Sequence, residues 1–228
     1  MNKIARVLLF PLLVVPFLAG CNAGGGDSSG DPTSSDTSGD KLPGSADQAK
    51  NKLRELGESE GYEIAFKVTE DDDETSSNVF GMKNNIIWWF TEDDEHAEGY
   101  KINSDNSVSS FSYDEDEGEY VVTPLPGVTK DMVDDLTESF TMFFYFAYSY
   151  QDGYTKVGDV TYVGRSAVKY NFSYIAVGAA ANVEVVIDKA TGITLCWKGQ
   201  AAGGGEYASA SFEVTSFKTG SQVTTPIA

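Results

Sequence analysis

Histidine is almost missing from the chain. Among 228 residues there is one, His96, inside the acidic turn EDDEHAEG. It reads as an exposed turn side chain among carboxylates rather than as a metal ligand or proton shuttle. No H-E-x-x-H, G-x-S-x-G or P-loop pattern occurs, so the sequence names no catalytic residue, no metal and no cofactor. Carboxylate pairs abound, but nothing selects two that face one cleft as acid and base, and the expectation is that the protein is not an enzyme. Cysteine is limited to Cys21 and Cys196, too few for a disulfide framework. Cys196, in ITLCWKG, lies between Thr194 and Lys198 on one strand face and reads as a small strand residue, with no histidine nearby in sequence to activate it. Basic residues are also scarce, 16 Lys and Arg against 35 Asp and Glu, for a net charge of −19. That balance excludes the basic patches of nucleic-acid binders and disfavours adsorption to anionic headgroups. Long apolar runs are confined to the first twenty residues, and no later stretch is long enough to span a bilayer.

What is present begins with a leader. Met1 to Gly20 has a charged start (Lys3, Arg6) and an apolar stretch, Val7 to Leu18, broken by Pro11 and Pro16. The tetrapeptide Leu18-Ala19-Gly20-Cys21 resembles the bacterial lipobox at all four positions. The resemblance implies cleavage before Cys21, diacylglycerol on its sulfur and a fatty acyl chain of the palmitate class on its amine. Each buried methylene adds about 0.8 kcal/mol, so two or more chains hold a protein on a membrane. Loss of Lys3 and Arg6 with the leader would take the net charge from −19 to −21. The expected location is extracytoplasmic, lipid-anchored to the cell membrane or the outer membrane. Residues 21–44 then read as the lipidated cysteine and a disordered linker, because AGGGDSSGDPTSSDTSGDKLPG is rich in Gly, Ser, Thr and Asp and lacks periodicity. Such a linker has an end-to-end distance of about 26 Å. Residues 45–228 are enough for one domain with a sizeable core.

Within that domain, Ser45 and Gln48 form a capping box. Ala46, Ala49, Leu53 and Leu56 make a narrow apolar face, and Gly57 is expected to end the helix. Six strands follow: Tyr62 to Thr69, Asn78 to Lys83, Ile86 to Thr91, Glu98 to Asn103, Val108 to Tyr113 and Glu119 to Thr123. The turns between them are short, which predicts an antiparallel meander. A second helix, Val128 to Tyr150, starts at Thr129 and stops at Asp152-Gly153, with Met132, Leu136, Phe140, Phe144 and Tyr148 expected on one face. Its apolar part is about 16 Å long. Two roles stand for it: a core helix, or a core helix whose aromatics also line a ligand cavity. Five more strands are expected: Asp159 to Val163, Val168 to Val177, Val183 to Asp188, Ile193 to Lys198 and Glu206 to Phe217.

The order helix, six strands, helix, five strands resembles the LolA/LolB lipoprotein-carrier superfamily. The wording is similar in VGRSAVKYNFSYI, VEVVIDKATGITLCW and FEVTSFKTG. The resemblance implies an α+β fold, an incompletely closed antiparallel β-barrel of about eleven strands. The central helix and the short N-terminal helix would pack in its mouth, around a space for acyl chains.

The inward-facing side chains are the candidates for contacting a hydrophobic ligand: Tyr62, Ile64, Phe66, Trp88, Phe140, Phe144, Tyr170, Phe172, Tyr174 and Trp197. Two functions remain open. One is a membrane-anchored protein that binds or carries a lipid, an acyl chain or another hydrophobic ligand. The other is a surface lipoprotein with a filled core that acts as an interaction or assembly module, its protein partner unspecified. The acidic runs starting at Asp71, Glu92 and Asp114 fall in alternate turns of the meander, so they are expected at one end of the sheet.

Overall fold

The computed structural model describes residues 42–227 apart from 71–73, 92, 95, 151–152, 177–178 and 204–205. Helix α1 (Ala46–Ser59) starts where the capping box places it, with the Ser45 side chain accepting from the Gln48 amide. Its buried residues, Ala49, Leu53 and Gly57, are four apart and share one face. Gly57 does not end the helix. A Cβ there would lie 2.6 Å from Met82 Sδ and 3.1 Å from the Tyr62 ring, so the missing side chain is what lets α1 settle onto the sheet. The stop is Gly61, left-handed at φ 83°, whose amide donates to Leu56 O at 2.8 Å as glycine caps do.

Six strands follow: β1 (Tyr62–Glu70), β2 (Glu74–Lys83), β3 (Ile86–Thr91), β4 (Glu98–Ile102), β5 (Val108–Asp114) and β6 (Glu119–Pro124). The second set is β7 (Tyr154–Tyr162), β8 (Arg165–Ala176), β9 (Ala179–Asp188), β10 (Thr194–Gly203) and β11 (Glu206–Thr219). All eleven form one sheet, ordered β6-β5-β4-β3-β2-β1-β11-β10-β9-β8-β7. The six-then-five expectation is met. The first and last strands of the chain pair in the middle, and β6 and β7 are left as edges with no hydrogen bonds joining them. The result is an open barrel-like α+β fold. The strand order puts the β1–β2, β3–β4 and β5–β6 connections at one end of the sheet, as the placement of the acidic runs requires. Residues 71–73, 92 and 95, which carry most of the first two runs, lie outside the described residues.

Several strands are longer than their patterns suggest. β7 begins at Tyr154, five residues before the expected Asp159. Its register shifts between Lys156 and Gly158, where Gly158 takes φ 154°. The bulge breaks the period-two alternation that would have marked the strand. β9 and β10 extend through Ala179–Asn182 and Gly199–Gly203, which pair with each other although, apart from the Asn182–Gln200 pair, they are built of alanine and glycine.

The chain from β6 to β7 departs most from expectation. Thr129 caps α2 (Lys130–Thr141), but the α-helix ends at Thr141, and Met142–Tyr150 continues as a 3₁₀-helix. Thr137 and Thr141 donate back to the carbonyls of Val133 and Thr137 at 2.8 and 2.9 Å, which loosens the helical ladder where it changes. The expected apolar stripe also fails. Val133 is fully buried, whereas Met132 and Leu136 are 51% and 43% exposed. A strict four-residue spacing drifts by about 40° per step on a helix of 3.6 residues per turn, so five such residues cannot hold one face.

The inner face of the sheet wraps around the 3₁₀-helix. Phe144 lies edge-on to Phe66 at 5.5 Å and to Phe212 at 5.7 Å, while Phe143 stacks on Phe212 at 5.9 Å. Such ring pairs add stability beyond their burial. A second, smaller core lies on the opposite face of β3–β5, where Ile86, Trp88, Ala97 and Phe111 are covered by Val223 and Ile227 from the C-terminal stretch. Lys83 pins that stretch, its Nζ donating to Gly220 O at 2.8 Å and Val223 O at 2.7 Å.

Candidate functional site

α1 and α2 stand on either side of an open cleft of about 430 Å³, floored by the inner face of β1–β3. Leu53 from α1, Tyr62 from β1, Met82 from β2, Ile87 from β3 and Tyr145 from the 3₁₀-helix supply the floor, and all five are buried. They reach one place because Tyr62, Met82 and Ile87 are neighbours across three strands: Tyr62 pairs with Met82, and Met82 with Ile87. The rim is charged, with Asp47, Lys50 and Arg54 from α1 and Asp134, Asp135 and Glu138 from α2. Lys50 bridges the cleft to the Glu138 carboxylate, and its Nζ stands 5.8 Å from the centroid of the Tyr145 ring. Asp134 takes Lys130 at 2.6 Å.

Burial pushes the Tyr62 phenol well above its ordinary range, and the nearby Tyr145 hydroxyl adds to this. Burial also raises Tyr145, partly opposed by a hydrogen bond with Thr141. Both hydroxyls are therefore neutral under ordinary conditions. Tyr62 is 2% exposed, its ring edge-on to Phe217 at 6.5 Å and tilted against Phe80 at 6.2 Å. The chemistry on offer is a largely apolar trough under a rim richer in carboxylates than in cations. Among the described residues no three His, Cys, Asp or Glu side chains converge as metal ligands.

Of the ten residues singled out in the sequence, Tyr62 lines this cleft. Ile64, Phe66, Phe144, Tyr170 and Trp197 are buried in the main core, with Phe172 half-buried against it. Phe140 is half-buried and stacks on Trp89 at 4.7 Å. The side chain of Tyr174 lies outside the described residues. Trp88 belongs to the second core, on the face away from the helices, because its pairing with Gly81, next to inward Met82, turns it outward. Cys21 lies outside the described residues. Cys196 is 1% exposed, and burial pushes its thiol up to about 11 against a hydrogen bond with Tyr162, as befits an inert strand residue. His96 is not a free turn side chain: its ring stacks on Tyr113, 3.4 Å between centroids, beside Tyr120.

Sequence reasoning missed Lys50, Glu138, Met82 and Tyr145. Lys50 and Glu138 lie on the polar faces of two amphipathic helices, and no local pattern says that these faces confront each other.

No family model matches this chain, and no curated protein matches it. Among solved structures it is similar to a putative outer membrane lipoprotein-sorting protein domain from Vibrio parahaemolyticus, at 9% identity and TM-score 0.25, covering 78% of this chain and 95% of that one. It is also similar to the Mycobacterium tuberculosis lipoprotein LppX, at 13% identity and TM-score 0.33, covering 78% and 94%. A LolA superfamily protein from Nitrosomonas europaea matches at 7% identity and TM-score 0.24, covering 77% and 94%. At these TM-scores the likeness carries nothing about ligand or activity.

Proposed function

We propose that the protein is a membrane-anchored, extracytoplasmic lipoprotein that binds a lipid or other hydrophobic ligand in the cleft between α1 and α2. The observation that carries this is the cleft itself: about 430 Å³ over the buried apolar side chains Leu53, Met82 and Ile87, with a polar rim. That volume falls within the ordinary range of ligand sites, which are apolar hollows with a few placed polar groups. The ligand's chain would lie under the two helices rather than along the barrel axis, which Phe66, Phe143, Phe144 and Phe212 fill. Cys21 would supply the anchor and residues 22–41 the tether; the linker expected to run to Gly44 stops short of Leu42, which is buried in the main core, and Pro43, whose carbonyl accepts from Tyr148.

The filled axis favours a second reading, an interaction module that carries no ligand. The uncharged fluorophore N-phenylnaphthylamine separates the two, titrated into the full chain carrying Cys21→Ser to keep it free of lipid. Saturable, salt-insensitive fluorescence that drops in Thr137→Trp, which fills the cleft from α2, supports the carrier. A folded protein with no saturable signal leaves the interaction module.

A further inference from the structure

The rim of the cleft is not charge-balanced. Asp47, Asp134, Asp135 and Glu138 face Lys50 and Arg54, with Lys130 taken up by Asp134, so carboxylates still outnumber cations by one and an entering anion meets like charge in a partly desolvated space. The molecule also places one of its own ammonium groups there. Lys50 Nζ sits between the Glu138 carboxylate and the Tyr145 ring face, the pairing of carboxylate and aromatic surface that recognises ammonium ligands. Lys50 is half-buried and Glu138 exposed, so the ion pair is open to competition. Beneath the rim the buried side chains of Leu53, Tyr62, Met82 and Ile87 form the floor.

From these observations we infer that the cleft selects amphiphiles bearing an ammonium group over those bearing a carboxylate, with Glu138 and the Tyr145 ring as the ammonium seat that Lys50 now fills. The ligand's ammonium displaces the Lys50 side chain towards solvent. The ligand's chain lies on Leu53, Met82 and Ile87. This rests on the cleft being the ligand site proposed above, and it names the class of headgroup that site takes.

The test is direct calorimetric titration of the full chain carrying Cys21→Ser, at low salt and below micelle-forming concentrations. The two titrants are dodecyltrimethylammonium and dodecanoate, which share a chain and differ in charge. The ammonium amphiphile is expected to bind about tenfold tighter, as a seat built from one ion pair and one ring face allows. Glu138→Gln should remove most of that preference. Lys50→Ala should tighten ammonium binding several-fold by vacating the seat. Lys52→Ala, the same charge change on the exposed side of α1, should leave it unchanged. Equal or tighter binding of dodecanoate, binding of neither titrant, or equal shifts from Lys50→Ala and Lys52→Ala would overturn the inference. Saturable N-phenylnaphthylamine binding without the ammonium preference would overturn this inference and leave the ligand-binding reading standing.

Discussion

The hydroxyl of Tyr148 lies 2.7 Å from the carbonyl oxygen of Gly192, joining the 3₁₀-helix inside the barrel to the D-K-A-T-G turn between β9 and β10. The same hydroxyl is 3.0 Å from Pro43 O, so one proton is shared between the turn and the segment leading into α1. Gly192 stands at φ 82°, and a Cβ there would meet both Tyr148 and Ala49. Three stretches far apart in sequence thus close on one phenol.

Tyr148→Phe should therefore destabilise the fold by about 1 kcal/mol, the net worth of one buried hydrogen bond. Burial first, and then the neighbouring Tyr170, push the Tyr148 phenol up to about 12. A folded value above the unfolded one means this contribution is intact below about pH 10 and is lost as pH rises through the folded value. Chemical denaturation at pH 7 and pH 11 should show the gap between wild type and Tyr148→Phe narrowing at the higher pH. A gap that widens with pH would contradict this assignment.

The strands that alternate cleanly were legible in the sequence, and the reason is physical. Tyr62, Ile64, Phe66 and Val68 lie on one face because β1 is paired on both sides and buried on one. Where a bulge intervenes, as at Gly158, or where the side chains are alanine and glycine, as in Ala179–Asn182, the period vanishes and so does the signal. The end of α2 at Thr141 was hidden because Met142–Tyr150 is apolar throughout and fits an α-helix as well as a 3₁₀-helix. The cleft was less legible still. Tyr62 was found because inward aromatics mark an interior, but the rim depends on which helix faces confront each other, and that is a tertiary fact.

Asp188 gives a sharper stability test. Its carboxylate, 1% exposed, takes Arg165 through two bonds of 2.8 and 2.9 Å, and Thr191 through its amide and hydroxyl. Arg165 in turn lies 4.0 Å from the centre of the Phe217 ring. Arg165→Ala strands a buried charge and should cost about 3–5 kcal/mol, a fall of roughly 10 °C in Tm. Burial alone would raise the Asp188 carboxyl, but the bonds from Arg165 and Thr191 outweigh it and hold it below its ordinary value. Its contribution is therefore present above about pH 4 and lost as pH falls through the folded value. Thermal melts from pH 7 down to pH 3 should show a steeper acid loss in wild type than in Asp188→Asn. Parallel curves would count against the assignment.

Trp88 depends on two glycines. It pairs with Gly81 on β2 and Gly99 on β4, and a Cβ on Gly81 would lie 2.2 Å from the Trp88 ring. A Cβ on Gly99 would lie 2.0 Å from the Ile87 carbonyl oxygen, which is backbone and cannot turn aside. Both Gly81→Ala and Gly99→Ala should destabilise by about 1–3 kcal/mol or more, with Gly99→Ala the worse. Adding Trp88→Leu should recover part of the Gly81→Ala loss and none of the Gly99→Ala loss. Equal rescue in a urea denaturation series would show that the ring is not the obstacle at Gly81.

Anchoring is predicted to depend on the Cys21 sulfur alone. Among the described residues no helix is long and apolar enough to cross a membrane. The large apolar side chains that reach solvent among the described residues are Val122, Met132, Leu136 and Val157, on three different elements at 43–55% exposure. Two single valines and one adjoining pair, Met132 and Leu136 on α2, make no patch able to hold a protein on a bilayer, and a chain of net charge −19 gains nothing from anionic headgroups. Two or more acyl chains on Cys21, at about 0.8 kcal/mol per buried methylene, would supply the whole affinity. Cys21→Ser produced in a bacterial host should therefore move from the membrane pellet to the soluble fraction. Ala substitution of the linker aspartates Asp27, Asp31, Asp36 and Asp40 should leave the wild-type distribution unchanged. A Cys21→Ser protein from which the leader has been removed and which still pellets after a high-salt wash would place the attachment outside Cys21 and overturn the lipid-anchor proposal.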